Sequence, residues 1–286
     1  MKALRLIALL ATEWLSSRTL VRTPESAQMN DAEQVRAFHQ AGEHYLQGLY
    51  HFNAWAINKM APSGGLVVDL GSGSAQFLAY LARARPDLRI VGIELAERMV
   101  VQGRDFLQSQ GLQNRVDLRH GDMTNFFNEM SEPVSVVSSV FSLHHLPTAT
   151  DLEHCLEQVH KLRTRDGAAF WVFDHARPKA ARTAELFPMV FTPEAAPAFN
   201  QDSTQSLMAS WTLTEMLEKF DSAGLSEGQH LLARLLPLYQ VHRLKPLGGH
   251  DGGQASLPPL WALPPATGLT AKDSDGLQWL FPTLLS

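Results

Sequence analysis

At 286 residues the chain is long enough to bury a substantial core, and its length fits one α/β domain with additions better than several full domains. Hydrophobic residues make up 45% and charged residues 19%, which argues against a disordered charged chain. A formal charge of -5 with no long basic run gives no signature of a protein that depends on phosphate-backbone attraction, so a small organic substrate is the starting expectation. Cys155 is the lone cysteine, which excludes an intrachain disulfide and a multi-thiolate metal site and accords with a reducing, cytoplasmic setting.

In chain order, residues 4–20 predict an amphipathic helix. The run 6–10 has the look of an export signal, but Glu13, Trp14 and Arg18 interrupt it, no clear small-residue cleavage site is present and it is too short to span a bilayer. An amphipathic helix is favoured, a signal segment is the main alternative for localisation, and no membrane partner is expected. A polar stretch, 22–31, follows with Pro24 as its boundary. Val35, Phe38, Tyr45, Leu49 and Phe52 then recur at helical spacing. Residues 1–60 thus form an N-terminal helical extension, either a lid over the main domain or a fixed support for it.

From residue 61 the pattern changes to strands alternating with helices. Strands are predicted at 66–70, 90–94, 116–119, 134–140 and 169–174, with helices at 76–84, 97–110 and 152–162 between them. Such repetition buries a parallel sheet under helices on both faces. Residues 178–199 are less regular, because Pro188, Pro193 and Pro197 limit long helices. Thr212 and Glu215 form a capping box for a helix to Ala223, and 231–236 and 238–241 supply the final pair of strands. The expected architecture is a Rossmann-like, doubly wound, mostly parallel seven-stranded sheet over 61–245. Residues 246–286, rich in Gly and Pro, read as a loop-rich extension anchored by Leu260, Trp261, Leu277, Trp279, Leu280 and Phe281, on the core or on a second subunit of a homo-oligomer.

The chemistry gathers at the first two strand ends. Gly71 and Gly73 let the chain turn sharply and bring backbone donors close to a ligand. Glu94, at the end of the next strand, is suited to accept hydrogen bonds from both ribose hydroxyls, in an adenosyl cofactor or a dinucleotide alike. Gln76 stands where a G-x-G-x-x-G fingerprint has its third glycine, which weakens the nicotinamide reading.

The segments Asp69-Leu70-Gly71-Ser72-Gly73, Glu94, Gly121-Asp122-Met123 and 139–146 together resemble the class I S-adenosylmethionine-dependent methyltransferase family, in a small-molecule branch, over residues 61–245. The resemblance implies S-adenosyl-L-methionine as cofactor. Asp69, Gly71, Ser72 and Gly73 would lie at its amino-acid end, Glu94 at the ribose, Asp122 and Met123 at the adenine, and Phe141 near its methionine portion. Tight turns, a helix cap or a loop brace are the plain alternatives for these residues.

For the acceptor side, His144 and His175 are the candidate bases, His144 from its motif and His175 from its place beside Asp174 at a strand end. Arg177 is a candidate to hold an acidic or carbonyl-bearing substrate; His39, Tyr45, Tyr50, Asn200 and Trp211 are candidates to enclose it. No phosphate-loop, nucleophile-elbow or H-E-x-x-H pattern occurs, and the spacing of His120, Asp122, His144 and His145 does not identify a metal site, so none is expected. Methyl transfer to a small molecule is the leading function. A nicotinamide-dependent oxidoreductase and a nonenzymatic adenosyl-ligand sensor or partner-binding protein are the alternatives.

Overall fold

The computed structural model describes residues 2–17, 20–26, 31–248 and 277–281. The expected anchors Leu260 and Trp261, and most of the Gly/Pro-rich stretch, lie outside them.

The strands are β1 (Leu66–Leu70), β2 (Arg89–Glu94), β3 (Val116–His120), β4 (Val136–Val140), β5 (Ala169–His175), β6 (Gln229–Leu232) and β7 (Tyr239–Leu244). They form one seven-stranded sheet in the order β3-β2-β1-β4-β5-β7-β6. The first five are mutually parallel, while β7 runs antiparallel to both β5 and β6. The chain winds outward in both directions from the β1–β4 boundary, so a crevice opens beyond the carboxyl ends of those two strands.

β1 and β5 are buried along their whole length, as expected of central strands covered on both faces. Side-chain alternation divides the core in two. Val67, Trp171 and Phe173 pack on one face with residues of α3 (Gln47–Asn58) and α4 (Gln76–Ala84). Leu66, Val68, Phe170 and Val172 pack on the other with Leu152, Leu156 and Val159 of α6 (Ala149–Asp166) and Phe220 of α9 (Leu213–Ser222). Between β2 and β3 runs α5 (Glu97–Ser109).

The N-terminal extension divides into α1 (Lys2–Leu15), α2 (Ala32–Tyr45) and α3. Asp31 caps α2 by accepting hydrogen bonds from the amides of Glu33 and Gln34. α3 belongs to the core: Trp171 Nε1 donates to Asn53 Oδ1 at 2.7 Å, and Phe52 packs against Trp171, Phe173 and Phe281.

The prolines of 178–199 do not prevent helices there. α7 (Ala181–Phe191) carries Pro188 in its interior, and the Ala184 carbonyl that loses its usual donor meets Thr204 Oγ1 at 3.4 Å. α8 (Pro197–Ala209) starts on Pro197, where a missing amide proton costs nothing. The two helices pack on each other, α1 lies against α7, and α2 against α8. β6 ends earlier than expected, at Leu232, because Leu235 takes φ +56 in the turn to β7.

Candidate active site

The loop after β1 is shaped by backbone geometry. Gly71 and Gly73 have φ of +70° and +53°, in the left-handed region that glycine enters without a Cβ penalty. A Cβ on Gly71 would also sit 2.3 Å from Ser142 Cβ, so the loops after β1 and β4 approach as closely as they do only because Gly71 has none. The amides of Gly71 and Ser72 donate to the Ile93 carbonyl at 2.8 and 3.1 Å, tying this loop to the end of β2.

Glu94 completes the tie. Its two carboxylate oxygens accept from Gly73 N and Ala96 N, each at 2.8 Å. Each oxygen keeps a further lone pair, so the carboxylate fits a pair of ribose hydroxyls. Burial raises its pKa, opposed by the backbone hydrogen bonds from Ala96 and Gly73. Asp69, at the end of β1, accepts from Ser138 Oγ at 2.6 Å. Its complete burial pushes its pKa up to about 7, so a cation arriving there would find a carboxyl close to ionisation.

These groups open onto a cavity of about 560 Å³ at the β1–β4 crevice. Asp69, Gly71, Ser72, Gly73, Glu94, Met123 and Phe141 line it, as do His144, His175, Tyr45 and Tyr50. Aromatic and aliphatic side chains from the helices, including Phe38, Phe187, Phe191 and Phe199, enclose the far side together with Leu277, Trp279 and Leu280 of the C-terminal segment. The cavity thus joins a polar end at β1 and β2 to an apolar end under α2, α7 and α8, the mixture usual in small-molecule sites.

His144 and His175 differ in what their nitrogens meet. His144 Nδ1 lies 2.5 Å from Asp174 Oδ1, and its Nε2 lies 3.4 Å from Glu25 Oε1. Burial alone would lower its pKa, but the Asp174 carboxylate outweighs burial and the net shift is upward. Flanked this way, the ring has its Nδ1 committed to Asp174 and its Nε2 turned toward Glu25. His175 is packed between the rings of Tyr239 and Phe141, at 5.4 and 4.7 Å. Its Nδ1 is buried without a hydrogen-bond partner in a wall of the cavity. Burial, then the charge of His144, pushes its pKa down to about 3, so the ring is neutral.

Other expected acceptor residues are held away from the cavity by internal bonds. Arg177 donates to the Ser210 carbonyl at 3.1 Å and to Glu215 Oε1 at 2.6 Å. Trp211 donates to the Leu143 carbonyl at 3.0 Å and lies under the Arg22 guanidinium, 3.6 Å from its ring centre. Asn200 Oδ1 accepts from Thr192 Oγ1 at 2.8 Å, and His39 Nδ1 is 2.9 Å from Ser74 Oγ. None of the four lines the cavity. Asp122 is exposed and caps its own turn through Thr124 N and Oγ1, both at 2.8 Å, while its neighbours Gly121 and Met123 do line the cavity.

Sequence reasoning missed Glu25, Asp202, Phe187 and Tyr239. Tyr239 carried a usable signal, as an aromatic residue opening a strand beside β5. Glu25 and Asp202 carried none, since neither belongs to a motif and only the fold brings them to His144 and His145.

With this geometry in view, residues 67–167 match a family model described as a methyltransferase domain. Residues 67–167 therefore carry the methyltransferase-domain match, and they hold β1, from Val67 onward, to β4 and the loops that open onto the cavity. It is 33% identical over 64 residues to a tRNA (guanine-N(7)-)-methyltransferase of Geobacillus sp. (strain WCH70), a match that spans 22% of this chain and 29% of that protein's length. Among solved structures, the plantazolicin methyltransferase BpumL in complex with SAH superposes with a TM-score of 0.55 at 12% identity, covering 86% of this chain and 97% of that one. A SAM-dependent methyltransferase from Aquifex aeolicus gives 0.51 at 14% identity, over 75% and 98%. These likenesses speak to the fold.

Proposed function

We propose that this protein transfers the methyl group of S-adenosylmethionine to a small, largely apolar organic molecule. The observation that carries the reading is the union, in one cavity, of the Asp69–Gly73 loop and Glu94 with an apolar chamber beneath α2, α7 and α8. When bound, S-adenosylmethionine supplies an electrophilic methyl carbon on a sulfonium. The residues fit it: Glu94 has lone pairs to spare for ribose hydroxyls, and Asp69 has buried charge that a cationic amino-acid end would balance.

The protein's part is positioning and exclusion of water, which together supply much of the rate in such displacements. Tyr45, Phe187 and Phe199 give the acceptor an apolar bed, and Leu277 and Trp279 cover it. His175, neutral in the cavity wall, then offers Nδ1 to a hydrogen bond from the acceptor's hydroxyl or amine and orients it toward the methyl carbon. The small-molecule reading is favoured over a nucleic acid by the net charge of -5 and the enclosing aromatic walls. Gln76 also disfavours a dinucleotide, because its side chain leaves the loop to donate to the His39 carbonyl of α2 at 2.8 Å.

Calorimetric titration with S-adenosylhomocysteine tests the cofactor half. The full chain should bind it, and Glu94→Ala should weaken binding by about 10–100-fold through the loss of charge-assisted hydrogen bonds. Transfer of labelled methyl to a panel of apolar phenols and amines tests the other half. Failure of the intact protein to bind either adenosyl species would end the reading, whereas tight binding with no transfer across the panel would favour a sensor.

A further inference from the structure

Beside the cavity, three side chains that no motif connects converge on one point. Glu25 Oε1 lies 3.4 Å from His144 Nε2 and 3.1 Å from His145 Nδ1. The three atoms all fall within 4.8 Å of one another. Ligand atoms about 2.0–2.1 Å from a tetrahedral zinc ion stand about 3.3–3.4 Å apart, so these separations are close to the edges of such a coordination shell.

We propose that Glu25, His144 and His145 form a binding site for a divalent transition-metal ion of the zinc class, with one coordination position open toward the cavity. Two imidazoles and a carboxylate suit zinc and its neighbours better than magnesium or calcium, which take oxygen ligands.

Three further observations support the site. His144 carries its own supporting carboxylate: Nδ1 is 2.5 Å from Asp174 Oδ1, and Asp174 Oδ2 accepts from the His144 amide at 3.1 Å. This is the arrangement by which metal-binding histidines are oriented and made more basic, leaving Nε2 for the ion.

Glu25 is also delivered on a pinned segment. Arg22 donates to the carbonyls of Ala209, Pro147, His144 and Leu146, and Thr23 N bonds the Met208 carbonyl at 3.1 Å. The carboxylate is thereby fixed against the loop that carries both histidines. The local charge, finally, calls for a cation. Asp174 lies 2.5 Å from His144 Nδ1, Glu25 faces its Nε2, and Asp202 stands in the adjoining wall of the cavity.

His144, His145, Asp202 and Ser206 line the cavity. The open position therefore faces the chamber, where Asp202, a water molecule or an acceptor oxygen would complete the shell. On the methyl-transfer reading, an acceptor hydroxyl bound there would be held in place and its proton loosened.

The test uses the full chain, stripped with a chelator and titrated with Co²⁺ in the absence of any adenosyl species or acceptor. One equivalent should bind with the intense visible bands of four-coordinate cobalt, and Zn²⁺ should displace it. Glu25→Gln and His145→Ala should each weaken binding by about 100-fold or more, since even loss of a group that only orients a metal ligand costs about 10–100-fold. Both variants should still bind S-adenosylhomocysteine, which shows that they are folded. X-ray absorption on the zinc-loaded wild-type protein should show two imidazole ligands, and it decides the matter if the variants fail to fold. Cobalt or zinc binding weaker than about 1 mM, binding unchanged in folded variants, or an absorption spectrum without imidazole scattering would each overturn the site. Loss of S-adenosylhomocysteine binding by the wild type would instead count against the cofactor reading and leave the metal result standing.

Discussion

The two ends of the cavity are built in different ways. The cofactor end is made within a short stretch of chain, from a strand, a turn at Gly71 and Gly73, and a carboxylate at the end of the neighbouring strand. The acceptor end is assembled from α2, α7, α8, the segment around Arg22 and residues 277–281, which meet only in the folded molecule. A local backbone device leaves a trace in sequence. A chamber made by long-range packing leaves almost none.

If the two ends are separable, a change at His175 should alter turnover and leave cofactor binding alone. His175→Ala removes the buried Nδ1 that has no partner of its own, so kcat should fall by about 10²-fold through lost orientation of the acceptor. The S-adenosylhomocysteine Kd should stay within about threefold, a change of well under 1 kcal/mol. A parallel loss of cofactor affinity in calorimetry would break the comparison by showing that the ends act as one unit.

The converse change is Gly71→Ala. The new Cβ would meet Ser142 Cβ at 2.3 Å in a backbone with φ +70°, so both strain and overpacking oppose it. Unfolding in urea should shift by about 2–4 kcal/mol. A variant as stable as the parent would mean that the loop after β4 yields easily, and that Gly71 is not what sets the spacing of the two loops.

The same division explains what was legible in sequence. β1, β2 and the loop between β1 and α4 lie where strand-like apolar runs and Gly spacing put them, because burial on both faces of a sheet and positive φ each demand particular residue types. α7 and α8 were obscured by their prolines. Pro188 is tolerated because Thr204, sixteen residues on, stands near the carbonyl it orphans, and no local pattern reveals that. Arg177 and Trp211 looked like pocket residues from their chemistry, yet Glu215 and the Leu143 carbonyl had prior claim on them. Glu25 is the clearest case of a residue whose meaning comes entirely from where the chain carries it.

The smallest expected effect concerns Asp69, at the hinge between the two ends. Its carboxyl titrates near pH 7 when folded, raised by burial from an ordinary 3.8. The folded state therefore holds a proton that the unfolded state releases at lower pH. Asp69's contribution to stability is fully present below about pH 4 and is lost as pH rises toward about 7. Cofactor binding should run the other way, because a cationic amino-acid end favours the ionised carboxylate. S-adenosylhomocysteine should bind several-fold more tightly at pH 8 than at pH 6, by up to about tenfold per pH unit below the pKa, with proton release visible as a dependence of binding enthalpy on buffer. Asp69→Asn should flatten that dependence while keeping the hydrogen bond to Ser138. If the slope survives the substitution, the titrating group lies elsewhere in the cavity, and Asp69 serves to brace β1 against β4 without contacting the cofactor.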